Sequence, residues 1–592
     1  IGNYYINPLE LPGIGEILKG HQLTEENQQY IMLPEVTAVF PSITLASWAS
    51  IFTGSMPGPA EPVLNDQGEV IVPAGTGILG NEFFDRSTEE MITFSDGAFP
   101  MMSILDRYPL GNSYNFAGIG AADKALSWNV ETVYEAIRYI NPDLKSTTVM
   151  HNYSRGADEW LYQETLIDKL RLAWNAKFQH DNADIARLMD SSPTNDSVEY
   201  IQRLTDAGEK FPILFAVYFA GLDHWAHDFG MDSYIQFFKD NSDEGIRKIV
   251  NELKNGGEFD NKIFIITADH GHTGMPHNYT VDITDPETGQ TKSVIPDTSC
   301  KLKLKHFDRK DIQEPELANN NLHIWELGEV LNLTGFLKGT EGLDFAVLAP
   351  KEIASLYEQY PYGAKPDAES ANVIAAFNGP MSHVYVKNRA NNSWNSPRLV
   401  DDIGYVAELI RLTLSNDKSP SNMSDLFPAG LFEKAIPISA GIKRLINSVD
   451  IILIRRGNNY EVYQGIKSDG SDVISIPLNN YTEISSSRYV KAIKRIEGLN
   501  HPERSGDIIL IFKDFTDDVP ENRFSSGSAC KSWHGSLNPS DSYVPLILAY
   551  PGGNKVEIEE IMKNVSACPN GHCDGNWNVT DIIKEIITRQ YE

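Results

Sequence analysis

Short, continuously apolar runs alternate with amphipathic stretches in the first half and the last quarter of the chain. Amphipathic helices are predicted between the apolar runs, for example over residues 157–176 and 243–253. Strands that are apolar at every position are buried on both faces, as in parallel sheets covered by helices. We therefore predict an α/β fold with a mostly parallel central sheet and helices on both faces. The strongest strand candidates are residues 213–219, 262–267, 507–512 and 543–549.

The segment from about 300 to 500 has a different texture, with Lys-rich, Asn-rich and Gly-rich connections. Strand candidates within it are 383–387, 450–455 and 460–463. A chain of 592 residues exceeds what one hydrophobic core usually holds. We predict a first part of the core over 1–300, an inserted α+β subdomain or lid over 301–500, and a return to the core over 501–592.

Two of the predicted strands end in an acid followed by a histidine. Asp223 and His227 follow the strand at 213–219, and Asp269 and His270 follow the strand at 262–267. In parallel sheets the chemistry lies just beyond the carboxyl ends of the strands. A spacing of four places Asp223 and His227 on one face of a helical turn. One such pair alone is more often a surface loop or a capped helix, but two pairs after buried strands favour a metal site of the kind that suits zinc.

Two further segments add candidate residues to these two pairs. Thr44 lies between a strand-like and a helix-like run, which places it near a helix N-terminus, where a phosphate is favoured. Alone, it would be an ordinary N-cap. Next to a metal ion its hydroxyl becomes a nucleophile. His534, in Trp533-His534-Gly-Ser, precedes the strand at 543–549 and offers a third ligand for one ion.

These segments, taken in order, resemble the type I phosphodiesterase/nucleotide pyrophosphatase family of the alkaline phosphatase superfamily. The resemblance covers roughly 1–300 and 500–592, and it is specific as an ordered set rather than in any single piece. The fold it implies is alkaline-phosphatase-like. The motifs are Phe40-Pro-Ser-Ile-Thr44, Gly77-Ile-Leu-Gly-Asn81, Asp223-x-x-x-His227, Asp269-His270-Gly and His534-Gly-Ser.

The resemblance implies a role for each motif residue. One zinc ion would be held by Asp223, His227 and His534. A second would be held by Asp269, His270 and the Thr44 oxygen. Asn81 would donate a hydrogen bond to a non-bridging phosphate oxygen. His272 matches no family role, and we expect it to be structural or to lie behind the metal ligands. The implied activity is hydrolysis of a small phosphate ester, first of all a phosphodiester or pyrophosphate, through a phosphothreonine on Thr44 with two divalent cations, zinc being the expected metal.

The sequence departs from the family pattern at two places. Ala46 and Ser47 stand where the family usually has Pro and Asn, which affects the local turn more than the chemistry. The family also carries an Asp ligand of the second metal on its first strand. No Asp precedes residues 9–18 here, and Asn3 is the nearest polar residue. We expect the first strand to be missing from the sequence, rather than the second metal to be weakened. The start at Ile1 without Met also indicates a processed or truncated N-terminus.

Alternative functions remain open on the sequence. A phosphomonoesterase usually adds positive groups for the extra phosphate charge, and the cation nearest to Thr44 and Asn81 is Arg86. A phospholipid head-group hydrolase and a degenerate binding or structural member of the same fold are further alternatives. A sulfatase is disfavoured because no Cys-x-Pro-x-Arg motif is present.

The composition restricts the kinds of binding partner and the cellular compartment that we expect. A formal net charge of −31 disfavours nucleic-acid polymers and anionic membranes. No apolar run reaches the roughly 18 residues that span a bilayer.

Cys568 and Cys573 flank a Pro-Asn-Gly turn, which favours a small disulfide loop over a zinc knuckle with His572. A disulfide requires an oxidising compartment, so we expect a secreted or periplasmic protein. The oligomeric state is not predicted.

Overall fold

The fold is described from a computed structural model, and all statements below refer to the residues that it describes. These are 7–20, 29–65, 67–68, 70–93, 121–161, 182–274, 281–284, 291–294, 347–348, 372–414, 449–486, 488–514 and 531–591. Asn3 therefore lies outside the described residues, as do Cys300 and Cys530.

The strands are short. In chain order they are β1 (Tyr30–Leu33), β2 (Val63–Leu64), β3 (Val70–Val72), β4 (Glu82–Asp85), β5 (Glu90–Thr93), β6 (Ser146–Val149), β7 (Glu159–Leu161), β8 (Leu214–Val217), β9 (Phe264–Thr267), β10 (Thr273–Gly274), β11 (Val281–Thr284), β12 (Thr291–Val294), β13 (Val347–Leu348), β14 (Val373–Phe377), β15 (Met381–Val386), β16 (Val449–Arg456), β17 (Asn459–Ile466), β18 (Val473–Pro477), β19 (Ile508–Phe512), β20 (Ser532–Trp533) and β21 (Leu546–Ala549).

The helices lie between and around these strands. They are α1 (Ile14–Lys19), α2 (Thr44–Thr53), α3 (Ala121–Ala125), α4 (Val133–Ile140), α5 (Asn182–Ala207), α6 (Gly221–Phe229), α7 (Tyr234–Phe237), α8 (Glu244–Asn255), α9 (Tyr405–Leu414), α10 (Ala492–Glu497), α11 (Pro539–Ser542), α12 (Lys555–Asn564) and α13 (Val579–Tyr591). Single π-helical turns precede α8 and α9, at Phe238–Asp243 and Leu399–Gly404.

The two strands that lead into the predicted site belong to two three-stranded sheets. Strand β8 pairs in parallel with β6, which pairs in parallel with β7. Strand β9 pairs with β21, and β21 with β1, both antiparallel. The predicted combination of helices and strands is confirmed, but the described sheets are only partly parallel, so the mostly parallel central sheet is not confirmed. A continuous apolar run reports burial on both faces, but it does not report strand direction, so β21 could not be distinguished from a parallel strand.

A seven-stranded sheet forms the other large β-structure, in the order β13-β14-β15-β19-β16-β17-β18. Its strands β15, β16 and β17 confirm the strand candidates at 383–387, 450–455 and 460–463. Strand β19, which we predicted in the parallel core, instead lies between β15 and β16 and runs antiparallel to both. The division at 300 and 500 stays a prediction, since much of the segment between them lies outside the described residues.

Strands β8 and β9 lie between the same two layers of apolar side chains. One layer contacts Leu214 of β8 and Ile265 of β9, and it includes α2. The other contacts Phe215 and Ile266, and it includes α1 and α8. Within the described residues no backbone hydrogen bond joins β8 to β9, and all their side chains are only half-buried. The two strands thus share one sandwich without pairing to each other.

The predicted helices have different outcomes. The helix expected at 243–253 is confirmed as α8. The helix expected at 157–176 is wrong at its start, because Glu159–Leu161 forms β7 beside β6; residues 162–176 lie outside the described part of the chain. In a segment of three residues, pairing with a neighbouring strand outweighs intrinsic helix preference.

Two sequence expectations concern the compartment. Cys568 and Cys573 form a disulfide, as the turn between them favoured. Among the helices that the structure describes, none combines the length and the apolar character needed to cross a bilayer.

Candidate active site

The predicted ligands are delivered by the ends of β8 and β9. After β8 the chain turns into α6, which carries Asp223 and His227 one helical turn apart. After β9 it turns at Asp269 and His270. Gly271 is required in this turn, because a Cβ atom there would lie 1.9 Å from the backbone oxygen of Ser540. The short ribbon of β10 and β20 then brings His534 to the same place.

Thr44 is the first residue of α2, a helix whose ten residues are all buried. The residue before the helix is Ile43, and no side chain caps the helix. The alternative in which Thr44 is an N-cap is therefore wrong. Its hydroxyl oxygen lies 3.2 Å from Nε2 of His270 instead. The departures at Ala46 and Ser47 leave the turn intact, since the Ser47 N–H donates to the Ile43 carbonyl at 3.0 Å.

The carboxylate of Asp223 is the centre of the site. Its Oδ1 atom lies 3.5 Å from Nε2 of His227 and 3.4 Å from Nε2 of His534. It lies 2.6 Å from Nε2 of His272 and 3.9 Å from Nε2 of His270. Four imidazoles, on α6 and on the turns around β10 and β20, thus point one nitrogen each at a single carboxylate oxygen.

A second group adjoins the first. Nε2 of His270 lies 3.4 Å from Oδ2 of Asp269 and 3.2 Å from the Thr44 hydroxyl. The rings of His270 and His534 stack with centroids 3.6 Å apart, which places the two groups side by side. The structure therefore brings together all six residues that the sequence singled out for metal binding.

Three of the imidazoles are held with the same nitrogen toward the protein backbone. Nδ1 of His227 faces the Ser532 carbonyl at 2.9 Å, and Nδ1 of His534 faces the Ser42 carbonyl at 3.2 Å. Nδ1 of His270 faces the carbonyl of Gly271 at 3.0 Å. A carbonyl only accepts, so each Nδ1 carries the proton. With Nδ1 bound to a carbonyl, Nε2 is the nitrogen that remains to bind a cation, and it is directed into the site, which is the arrangement of metal-binding histidines.

The distances also fit a divalent cation. Two ligands about 2.0–2.2 Å from one tetrahedral zinc ion lie about 3.3–3.6 Å apart. The distances from Asp223 to His227 and to His534 fall in this range, at 3.5 and 3.4 Å. The 3.4 Å between His270 and Asp269 does so as well. Oxygen and imidazole donors at this spacing are therefore able to hold the cations that the resemblance implies.

Burial shifts the pKa values of the acids and imidazoles in the site. Burial would raise the pKa of Asp223, but the charge and hydrogen bond of His227 and the hydrogen bond of His272 outweigh it and hold the pKa well below its usual value. Burial, with the nearby charge of Asp223, raises the pKa of Asp269. Burial lowers the pKa of His272 to about 3 and that of His534 well below its usual value, so both rings are neutral. The negative charge of Asp223 beside these two neutral rings favours a bound cation.

Asn81 lies beside the first turn of α2, as the motif implies. Its Oδ1 atom accepts the backbone N–H of Leu45 at 3.0 Å. This contact fixes the orientation of the amide, so the NH₂ group is the end that does not face the Leu45 N–H. Tyr153 supports the same turn by donating its hydroxyl to the Leu45 carbonyl at 3.0 Å.

We expected His272 to be structural or to lie behind the metal ligands, but the sequence did not identify Ser532 as its partner. Nδ1 of His272 lies 3.2 Å from the Ser532 hydroxyl, while the Ser532 carbonyl holds His227. The alternation in Asp269-His-Gly-His272 was a signal that a second histidine shares the turn. No sequence pattern pointed to Ser532 as a partner of His272, because 260 positions separate the two residues.

The sequence profile of the type I phosphodiesterase/nucleotide pyrophosphatase family matches residues 71–391, more than half of the 592 residues. The chain belongs to this family and is a phosphoric ester hydrolase. The match extends into the segment that we predicted as an insertion. A comparison with curated protein sequences found no match.

Solved structures resemble the chain over most of its length at low identity. Murine ectonucleotide pyrophosphatase/phosphodiesterase 5 is 12% identical, covers 92% of this chain and 83% of its own, and has a TM-score of 0.38. Alkaline phosphatase PafA is 14% identical, with 91% and 86% covered and a TM-score of 0.43. Phosphonoacetate hydrolase from Sinorhizobium meliloti 1021 is 12% identical, with 97% and 89% covered and a TM-score of 0.38. These scores are too low to carry an argument about substrate or mechanism.

Proposed function

We propose that the protein is a metal-dependent phosphodiesterase that acts through a phosphothreonine on Thr44. The observation that carries this proposal is the convergence of six side chains from four distant segments. Asp223 lies at ligand spacing from both His227 and His534, and His270 lies close to both Asp269 and the Thr44 hydroxyl. A buried acid and imidazole cluster next to a buried hydroxyl at a helix N-terminus suits phosphate chemistry.

In this proposal Asp223, His227 and His534 hold one divalent ion, and Asp269, His270 and Thr44 hold the other. Once bound, such ions lower the pKa of the threonine hydroxyl and neutralise charge on the phosphate and the leaving oxygen.

The chain's own groups orient the reaction. The start of α2 fixes Thr44 Oγ1 for attack on phosphorus, while its proton passes to solvent. The bond from phosphorus to the leaving oxygen breaks as the bond to Thr44 forms, roughly in line. The Asn81 amide donates to a non-bridging oxygen, where negative charge grows. Water then cleaves the phosphothreonine and restores the hydroxyl.

A diester or pyrophosphate is preferred to a monoester because Arg86 is engaged elsewhere. Its guanidinium is buried against Asp507 at 2.8 Å and donates to the carbonyls of Pro502, Glu503 and Ser505. The cation nearest to Thr44 and Asn81 along the sequence is thus unavailable for the second charge of a monoester.

We also propose that the protein works in an oxidising compartment, outside the cell or in the periplasm. The disulfide between Cys568 and Cys573 supports this location.

The proposal is tested with the full-length protein and two chromogenic substrates. We expect chelator-sensitive, zinc-restored hydrolysis, faster with thymidine nitrophenyl phosphate than with nitrophenyl phosphate. Thr44→Ala should abolish turnover while zinc binding is largely retained, and Thr44→Ser should keep part of the activity. Trapping with acid during turnover should leave a thymidylyl group on Thr44 with the diester and a phosphate group with the monoester. Full activity of Thr44→Ala, or turnover that chelators do not affect, would refute the proposal, and a faster monoester reaction would refute the diester preference.

A further inference from the structure

His272 is the one imidazole of the site that is bound differently from the others. Its Nδ1 atom faces a hydroxyl, that of Ser532 at 3.2 Å, rather than a backbone carbonyl. Its Nε2 atom lies 2.6 Å from Oδ1 of Asp223. His272 is 8% exposed and Ser532 is fully buried, so both side chains must satisfy their polar atoms within the protein.

The protonation of the His272 ring follows from these partners. A carboxylate oxygen only accepts hydrogen bonds, so at 2.6 Å the Nε2 atom must carry the proton and donate it to Asp223. In the neutral ring, Nδ1 is then the acceptor, and the Ser532 hydroxyl is able to donate to it. His227, His270 and His534 have the opposite tautomer, because their Nδ1 atoms face carbonyl oxygens.

The distance to Asp223 leads to the same assignment. The atoms of Asp223, His270, His272 and His534 lie within 4.8 Å of one another, so His272 could be taken for a fourth ligand. Two ligands of one tetrahedral zinc ion lie about 3.3–3.6 Å apart. The 2.6 Å between His272 and Asp223 is too short for two ligands of one ion and is typical of a direct hydrogen bond.

We propose that His272 is a positioning residue that holds the Asp223 carboxylate for the first metal ion, and that Ser532 sets its tautomer. Ser532 acts on two sides of the same ion, since its hydroxyl holds His272 while its carbonyl holds His227. The ribbon of β10 and β20 supplies the rigid frame, because the residue after His272 pairs with the residue after Ser532. Outer partners of this kind typically change metal affinity or activity by about 10–100-fold.

This inference rests on the proposed metal site, and its test is designed to separate the two. Zinc affinity and stoichiometry are measured by chelator competition on the full-length protein and on His272→Ala, His272→Gln and Ser532→Ala. We expect His272→Ala to bind the same number of zinc ions. The zinc affinity of the site that contains Asp223 should fall by about 10–100-fold. His272→Gln, whose amide still donates, should recover most of the affinity, and Ser532→Ala should lose less than His272→Ala.

A spectroscopic measurement distinguishes a ligand from a positioning residue. In the cobalt-substituted protein, the visible absorption bands report the ligands bound to the ion. We expect these bands to stay in place in His272→Ala and to shift in His227→Ala. His501→Gln is the matched control, since the His501 side chain is buried and its Nδ1 atom accepts the backbone N–H groups of Glu503 and Arg504. This variant should alter neither affinity nor bands.

Three outcomes would overturn the inference. They are loss of one whole metal equivalent in His272→Ala, a band shift in that variant, and an affinity equal to that of the unmodified protein. If the unmodified protein binds no zinc and hydrolyses neither nitrophenyl substrate, the proposed function itself fails instead.

Discussion

Asp190 provides a test of how the site is supported. This buried acid accepts a hydrogen bond from the first residue of α6, the helix that contains Asp223. Asp190 lies on α5 and is 1% exposed. Its Oδ1 atom accepts the Gly221 N–H, at the first residue of α6, at 2.8 Å, and its Oδ2 atom accepts the Ser242 hydroxyl at 2.6 Å. A Cβ atom on Gly221 would lie 2.2 Å from the Ala186 backbone oxygen, so α5 and α6 touch closely here.

Burial raises the pKa of Asp190 from 3.8 to about 6, although the bonds from Ser242 and Gly221 oppose the shift. The folded protein therefore binds this proton more tightly than the unfolded chain does. The free energy of unfolding falls as pH rises from about 4 to about 6, and the full penalty is present above pH 6. A shift of about 2 units corresponds to about 3 kcal/mol.

Asp190→Asn keeps an acceptor for Gly221 and removes the charge. We expect this variant to exceed the unmodified protein in stability by up to about 3 kcal/mol above pH 6, and the difference to vanish toward pH 4. Asp190→Ala leaves the Gly221 N–H and the Ser242 hydroxyl without their partner, so it should lose about 2–5 kcal/mol near pH 4. This loss should shrink by up to about 3 kcal/mol above pH 6, where the unmodified protein carries the penalty of the ionised acid.

The assay is urea unfolding followed by tryptophan fluorescence between about pH 4.5 and pH 8, where the titration has its effect. The quantity compared is the difference in unfolding free energy between each variant and the unmodified protein. A difference for Asp190→Asn that does not change with pH would refute the assignment of a buried, titrating acid. Equal losses in Asp190→Asn and Asp190→Ala would refute the role of its hydrogen bonds.

Three further predictions follow from the site and its surroundings. Asn81→Ala should lower turnover by about 10²–10³-fold with unchanged zinc binding, because it removes a donor to the developing charge; steady-state kinetics with an unchanged rate would contradict this. Gly271→Ala should impair zinc binding at His270, because its Cβ atom would lie 1.9 Å from the Ser540 backbone oxygen. Gly274→Ala is the control and should bind zinc normally, because the nearest atom to its Cβ would be 3.9 Å away. Chelator competition measures zinc binding in both variants, and equal affinities would contradict the prediction. Replacing Cys568 and Cys573 together by Ser should lower stability by about 2 kcal/mol through loop-closure entropy, as measured by urea unfolding, and no change would contradict it.

The convergence of the candidate ligands could be predicted from the sequence because each lies directly after an apolar strand or within a recognisable motif. Asp223 and His227 needed only helical spacing, which α6 supplies. Strand direction could not be predicted in the same way, since β21 is as apolar as a parallel strand but runs antiparallel to β9. The hydrogen bond between His272 and Ser532 depends on the pairing of β10 with β20, which local patterns do not encode. The predicted Asp ligand on a first strand stays a prediction.

Anomalous diffraction can show whether two sets of three residues each hold one metal ion. Crystals grown with zinc and measured at the zinc absorption edge should show two peaks about 4 Å apart. The ion at one peak should be bound by Asp223, His227 and His534, and the ion at the other by Asp269, His270 and Thr44. A single peak, or a peak bound directly by Nε2 of His272, would contradict the account.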